Sequence, residues 1–347
     1  MAPARLAKDE PPAGGSNHSY QLQVFDEHEW RSTPEDPGPR RMTVLALTTV
    51  VRGSSKGQSH GGLYLVDIDG GRGAQLLDWT RPSIDWHGYG AGRGLRGLAV
   101  HEQRVYVAGS DELFCFDADF HLQNVYRSPY LGGAQAVAYF DGRLYLVSAR
   151  FDALLALNLA AGRFDWGLQI SDDEGGLRGT PFDPQGSVGP SPGSRLQLNS
   201  LHCDSRGLFV SGSRTAGLLH FDGSRIRRLV TLPEGVHDAR PWSDGVLFND
   251  SDAGAVRFLT PQANRVFQVP RYPEEVLEPG SFENPECALQ GWARGLCVID
   301  GQRFASGSSP LTVSVHDLET MKTGLRITLG TDARHAVHSL AVWPFAT

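Results

Sequence analysis

From Met42 onward, hydrophobic residues come in short runs, and Gly, Asp or Asn turns separate the runs. Gly94–Val100 is followed by Arg104–Ser110 and then by Leu113–Asp117, and the same order recurs at residues 135–158, 199–222, 237–259 and 294–317. A fourth, weaker run usually follows each set of three. Such runs predict β-strands, and four strands repeating every 40 to 60 residues is typical of propeller blades.

The two ends of this pattern complete each other. The last run, His338–Trp343, resembles the first strand of a blade, but no second strand follows it. Thr43–Val50 resembles a second strand, but no first strand precedes it. We therefore expect an all-β, six-bladed β-propeller over residues 41–347, closed by the C-terminal strand, with five or seven blades as alternatives. Residues 1–40 are rich in Pro, Gly and charge, and are expected to form a flexible tail.

Composition excludes several classes of protein. The 347 residues carry a formal charge of −7 and no basic tract, which disfavours nucleic acid as a partner. No apolar run approaches the ~18 residues of a membrane span, and the N-terminus has no continuous apolar segment. The four cysteines are widely spaced, as buried thiols of a reducing cytoplasm would be. The sequence also lacks a nucleotide loop, a nucleophile elbow and a Rossmann fingerprint.

One column of polar residues stands out when the repeats are aligned. It contains a donor in every repeat and no carboxylate: Arg96, Gln135, Asn199, His237, Arg294 and His338. If these side chains converge on the channel mouth, they suit a small anionic molecule, because Arg offers a bidentate fork to an anion. The alternative is that the column caps strand ends and bonds neighbouring blades.

Within this column, His237 and His338 are the candidate catalytic acid and base, since histidine titrates near neutral pH. The other four members are candidate substrate-binding residues, together with His87 and Trp292 in long loops at the expected rim. A divalent metal cofactor stays open, with His237 and His338 as its candidate ligands. The segment 171–193 is either a lid or a disordered insertion.

Three segments resemble a known family. Leu198-Asn-Ser-Leu201, Val236–Asp250 and Ala293-Arg-Gly-Leu-Cys-Val298 are similar to the blade starts of the DUF4915 family, poorly characterised cytosolic propeller proteins of bacteria. The chain departs from that pattern at Ser200, Val236 and Asp238. The resemblance implies a propeller fold and no settled reaction. Gluconolactonase-type and strictosidine-synthase-type propellers are an analogy of fold alone.

The sequence therefore carries two hypotheses about function. The first is an enzyme of lyase, isomerase or hydrolase type, which transfers a proton on an anionic substrate at the channel mouth. The second is a non-catalytic propeller module that binds a ligand or a protein at its rim. A mouth lined by His and Arg favours the first, and an exposed apolar rim would favour the second.

Overall fold

The computed structural model describes residues 19–20, 43–80, 94–279 and 287–345. In it the chain forms six antiparallel sheets arranged as the blades of a propeller. Blade 1 contains β1 (Ser19–Tyr20), β2 (Val44–Val51), β3 (Gly62–Asp67), β4 (Arg72–Asp78) and the C-terminal strand β26 (His335–Val342). Blade 2 contains β5 (Leu98–His101), β6 (Arg104–Gly109), β7 (Glu112–Asp117) and β8 (Leu122–Arg127).

The next two blades differ in size. Blade 3 has five strands: β9 (Ala134–Phe140), β10 (Arg143–Ser148), β11 (Ala153–Asn158), β12 (Arg163–Asp173) and β13 (Gly176–Phe182). Blade 4 has four: β14 (Leu198–Asp204), β15 (Gly207–Gly212), β16 (Gly217–Phe221) and β17 (Ile226–Thr231).

Two more four-stranded blades complete the ring. Blade 5 contains β18 (Val236–Trp242), β19 (Gly245–Asp250), β20 (Ala255–Leu259) and β21 (Asn264–Gln268). Blade 6 contains β22 (Leu296–Val298), β23 (Arg303–Ser308), β24 (Thr312–Asp317) and β25 (Lys322–Thr328). The described helices are two 3-10 turns, Ala149–Phe151 and Glu274–Val276, and neither has the length to cross a membrane.

The expected closure is confirmed. β26 pairs antiparallel with β2, so that Leu340 lies opposite Leu47 and His335 opposite Val51. All eight residues of β2 are buried, because its side chains pack against blades 6 and 2 and its two edges pair with β26 and β3. Pairing on both edges satisfies the backbone donors and acceptors that an open inner strand would leave exposed.

The hydrophobic core lies between the blades rather than within any one of them. Six clusters of buried apolar side chains form among the described residues, and each cluster joins two neighbouring blades around the ring. The cluster between blades 6 and 1, for example, packs Leu47 and Val66 against Val313 and Ile327. Each sheet therefore buries both faces, which explains why second and third strands are apolar at nearly every position.

The segment 171–193 differs in part from either expectation. Its first part completes β12 and forms β13, and the two strands pair from Gly167–Phe182 to Asp173–Gly176 as an extra hairpin on the outer edge of blade 3. The following residues pack on the loop that joins blades 2 and 3, where Ser128 Oγ donates to the carbonyl of Pro184 at 2.8 Å. The segment extends a blade in this structure.

Candidate functional site

The channel through the ring is lined by the innermost strand of every blade. These strands are β26, β5, β9, β14, β18 and β22, and together they enclose a cavity of about 390 Å³. The six residues of the polar column lie at or just before the start of these strands or, for His338, within the last one. We call these six the upper ring.

Two glycines let the inner strands come close enough to form this ring. Each follows an arginine of the upper ring, in the shared text Arg-Gly-Leu. A Cβ on Gly97 would lie 2.6 Å from the backbone of Ala136 and Val137 in the next blade. Gly295 has a left-handed φ of 78°, and a Cβ there would lie 3.0 Å from Val337. The glycines thus bring Arg96 and Arg294 deep into the channel.

Three members of the upper ring meet at one atom, the Oε1 of Gln135. Arg294 Nη2 donates to it at 3.5 Å, and His338 Nε2 lies 3.2 Å from it. Since an amide oxygen only accepts, His338 carries its proton on Nε2 in this arrangement. Its Nδ1 is buried and has no hydrogen-bond partner among the other described residues. Gln135 therefore holds His338 as a donor toward the channel.

His237 is held in the opposite tautomer to His338. Its Nδ1 lies 3.1 Å from the carbonyl of Gly235 and 2.8 Å from Ser251 Oγ, which itself donates to the carbonyl of Ala293. Nδ1 must therefore carry the proton, and the lone pair is on Nε2. Nε2 makes no hydrogen bond to a described residue and is not among the fully buried atoms. His237 thus offers an accessible proton acceptor.

Trp292 connects His237 to the arginines. The indole lies edge-on to the His237 ring, with 5.3 Å between ring centroids, and Arg294 Cζ lies over it at 4.7 Å. Arg52 Cζ lies 4.7 Å from the same centroid. Arg52 is held elsewhere, because its Nη2 donates to the carbonyls of Leu289 and Ala333 and to Ser309 Oγ. Its charge acts on the ring, but its hydrogen bonds are made by Nη2, and Nε and Nη1 are buried without a partner among the described residues.

Asn199 and Arg96 complete the upper ring in different ways. Asn199 Nδ2 donates to the carbonyl of Val236 in the next blade at 3.0 Å, which matches the alternative role of this column in bonding blades together. Arg96 is deeply placed, and its charge acts on both His338 and Arg294. Burial lowers the pKa of Arg96 to about 10, against the opposing influence of Asp111.

The electrostatics of the ring favour an anion. Burial lowers the pKa of Arg294 to about 9, Asp238 opposes this, and Arg96 and Arg52 lower it further, so Arg294 is still charged at neutral pH. Burial first, and then Arg294, holds the pKa of His237 well below its usual value. Burial, Arg294, Arg96 and His237 do the same for His338. Both imidazoles are therefore neutral at pH 7.

A divalent cation does not fit this charge distribution, because it would sit within the field of several guanidinium groups. The described residues contain one compact group of three possible metal ligands, Asp117, Asp119 and His121, and it lies far from the ring on the exposed turn after β7. There Asp117 Oδ1 already accepts the backbone N–H groups of Asp119 and His121.

Asp238 is next to the upper ring, although the aligned column of polar residues does not contain it. It lies in a bulge of β18 with a left-handed φ of 53°, and it lines the channel cavity. Its Oδ2 accepts the N–H of Gly295 at 2.8 Å and Asn249 Nδ2 at 3.2 Å, so it fixes the backbone next to Arg294. Burial raises the pKa of Asp238. The alternation of residues along a strand does not reveal a carboxylate that enters the channel through a bulge.

His87 lies outside the described residues, as do Trp86, Tyr89 and Phe282 among the aromatic residues of the rim loops. Two described aromatics hold their loops against the blades instead of facing the ring. Trp79 packs edge-on against Phe114, and Tyr272 Oη shares hydrogen bonds with Thr312 and Thr328. Trp292 is the aromatic residue that the described chain places against the upper ring.

A second groove, of about 420 Å³, lies between blades 3 and 4 beside the turn between β9 and β10. Its charged side chains are largely neutralised in pairs, Arg143 with Asp165 and Arg206 with Asp204. The upper ring differs because the guanidinium of Arg294 has no ion pair among the described residues, and its Nε and Nη1 keep accessible surface without a partner.

No protein-family model matches this chain, and no curated protein matches it. Solved structures do. The chain is similar to a Bacteroides caccae protein of unknown function at 12% identity, with a TM-score of 0.50 over 88% of this chain and 100% of that one. It is also similar to a chain of a nidogen/laminin complex at 10% identity, with a TM-score of 0.55 over 86% and 98%. At such identities the likeness shows the propeller fold alone.

Proposed function

We propose that the upper ring binds a small anionic molecule and transfers a proton on it, with Arg294 as the anion anchor and His237 as the base. One observation carries this proposal. Arg294 and His237 pack against the same indole, Trp292, and both present nitrogen atoms that no described residue engages. An unpaired guanidinium beside an accessible neutral imidazole is the pair that a carboxylate or phosphate substrate requires.

The anion would replace the side-chain oxygen of Gln135 as the acceptor in the upper ring. Gln135 Oε1 accepts from Arg294 and from His338, as the oxygen of a carboxylate or phosphate would. A charged oxygen accepts more strongly than an amide oxygen, so the ligand displaces Gln135 and keeps both donors. Arg96 and Arg52 add positive potential without having to touch the ligand.

The proton step follows from the histidine tautomers. His237 Nε2 takes a proton from the carbon next to the bound acid group, and the electron pair of that C–H bond moves into an enolate whose oxygen the guanidinium stabilises. Gly235 and Ser251 accept from His237 Nδ1–H, so they stabilise the imidazolium that forms. Elimination and isomerisation share this first step, and the lyase and isomerase classes are therefore the ones we favour.

Deuterium exchange measured by NMR in D₂O tests the chemistry without a known product. The probes are a panel of 2-hydroxy- and 3-hydroxycarboxylates, which carry hydrogen on the carbon next to the acid group, with binding followed by calorimetry. We expect His237→Gln to abolish exchange and to leave binding within a few-fold. We expect Arg294→Met to weaken binding roughly 10- to 100-fold, the value of a charged hydrogen bond. If neither variant changes binding or exchange, the proposal is wrong.

The second candidate is a non-catalytic propeller that binds the same anion. The hydrogen bonding of His338 favours this candidate. An enzyme would need a second group to return the proton to the substrate, and His338 is the neighbouring histidine, but its Nε2 is hydrogen-bonded to Gln135 and its Nδ1 is buried. Binding that depends on Arg294, with no exchange in the unaltered protein for any probe, would identify this function.

Two further expectations belong with the proposal. All four cysteines are free thiols, which is consistent with the cytoplasmic location expected from the sequence. Kinship with the DUF4915 propellers also stays a proposal, supported by the propeller fold and by the Arg-Gly-Leu segments that place both arginines of the upper ring.

A further inference from the structure

A second set of side chains faces the channel three residues beyond the upper ring on every inner strand. We call this set the lower ring: Ala99, Ala138, His202, Arg240, Cys297 and Ala341. All six line the same 390 Å³ cavity as Gln135 and Asp238. The polar members come from blades 4, 5 and 6, and the alanines come from blades 1, 2 and 3. The lower ring thus has a polar wall facing a wall of small residues, which leaves space for a ligand.

Arg240, at the centre of that polar wall, has no hydrogen-bond or ion-pair partner among the described residues. Its guanidinium makes no hydrogen bond or ion pair with any described residue, and its Nε has no accessible surface. Its Nη atoms are not among the buried atoms, so they contact the cavity. A buried guanidinium without an anion is unfavourable for the fold, and hydrophobic residues of similar volume are often better tolerated.

The neighbours of Arg240 do not neutralise it. Burial and the Arg240 charge lower the pKa of His202 to about 4, and burial raises the pKa of Cys297 to about 11, so both are uncharged at pH 7. Cys297 and Asp238 are the described acidic groups that act on Arg240; Asp238 is the carboxyl group of the two, and it also acts on Arg294. Arg240 lines the cavity and Arg294 lies next to Gln135 at its edge, so two guanidiniums share one carboxyl group and positive charge stays uncompensated there.

We propose that Arg240 forms a second anion-binding subsite, and that the ligand of the channel is a small molecule with an acidic group at each end, one bound by Arg294 and the other by Arg240. Three residues of strand separate the two rings by about 10 Å along the channel. The ligand class rests on the proposed function of the upper ring, whereas the subsite at Arg240 stands by its own geometry.

The test compares linear dicarboxylates from malonate to adipate with monocarboxylates of equal chain length, by calorimetry in buffer free of phosphate and sulfate. We expect the dicarboxylates to bind more tightly, with an optimum at one length, because two fixed subsites select one spacing. Arg240→Met should reduce dicarboxylate affinity roughly 10- to 100-fold and leave monocarboxylate affinity unchanged. Arg240→Lys should restore part of the difference.

Thermal unfolding gives a readout that needs no ligand. Arg240→Met should raise the Tm by about 2 °C or more, because it removes an uncompensated buried charge. Arg303→Met is the matched control, since Arg303 pairs with Asp300 on the surface and should affect neither binding nor Tm appreciably.

The outcomes separate the two proposals. Equal affinity for mono- and dicarboxylates in the unaltered protein, or a dicarboxylate affinity unaffected by Arg240→Met, overturns the second subsite, even where Arg294→Met still weakens monocarboxylate binding. Dicarboxylate binding that depends on Arg240 but not on Arg294 supports an anion subsite at Arg240, but it overturns both the ligand bound at two ends and the proposed function of the upper ring.

Discussion

Five buried histidines should make the free energy of unfolding depend steeply on pH between 5.5 and 7.5. Burial lowers the pKa of His316 to about 3 and of His202 and His335 to about 4, and it places His237 and His338 well below the usual value. The same side chains titrate near 6.5 in the unfolded chain. The unfolded state therefore binds more protons below pH 7, and stability falls as the pH falls.

The size of the effect follows from linkage. Each histidine that stays neutral in the fold contributes about 1.4 kcal/mol of destabilisation at pH 5.5 relative to pH 7.5, so the five together cost about 7 kcal/mol. Near pH 6.5 the unfolded chain carries about 2.5 extra protons, which corresponds to about 3.4 kcal/mol per pH unit. Carboxylates whose pKa the fold lowers add little in this window, because their unfolded pKa values lie near 4, whereas buried Asp152 and Asp238, whose pKa burial raises, act in the opposite direction.

Urea unfolding at half-unit steps of pH measures this slope. His316 bonds Ser306 and Thr323 in the core, and His316→Asn should remove about a fifth of the slope. If that variant does not fold, His335→Gln is expected to reduce the slope by the same fraction. The control is His121→Asn, because the His121 side chain is 77% exposed. A slope of less than one proton in the unaltered protein would refute the reasoning, since the histidines would then protonate inside the fold.

Three other outcomes are expected. Deleting the chain from Arg334 onward removes β26, exposes β2 and should abolish cooperative thermal unfolding; an unchanged Tm would contradict ring closure. Leu47→Ala, at a fully buried site between blades 1 and 6, should cost about 2–5 kcal/mol in urea unfolding, whereas exposed Leu122→Ala should cost little. Arg294→Ala should weaken binding of a small carboxylate by about 1.5–3 kcal/mol in calorimetry without lowering the Tm; equal affinity would remove the anion site.

The fold could be predicted because its signal repeats. Each blade buries both faces of its second and third strands, so the sequence of each blade contains apolar runs of similar length at similar spacing. The two runs without a partner in their own repeat, Thr43–Val50 and His338–Trp343, identify the pair of strands that closes the ring. The hairpin formed by β12 and β13 could not be predicted in this way. Its outer strand is largely exposed, and it is held by backbone pairing that requires no apolar pattern.

The site was only partly predictable, for a geometric reason. Alignment of the repeats finds positions that share a register, and it placed Gln135, Arg294 and His338 in one column, where the structure brings them into contact. It does not say which nitrogen of a histidine carries the proton, because that depends on acceptors such as Gly235 in a neighbouring loop. Nor does it single out Arg240, because the aligned column three residues further on contains three alanines and shows no shared chemistry.

The channel and the blade interfaces have opposite energetic roles. The channel contains Arg240 and Arg294, whose buried charges destabilise the ligand-free fold, whereas the six apolar clusters between blades stabilise it. A closed ring tolerates these buried charges because a blade cannot move outward without losing the apolar contacts that it makes with both neighbouring blades. Binding of an anion would remove part of the cost and raise the Tm in proportion to occupancy. The rigidity of the ring therefore explains how the fold keeps guanidinium groups without ion-pair partners among its described residues.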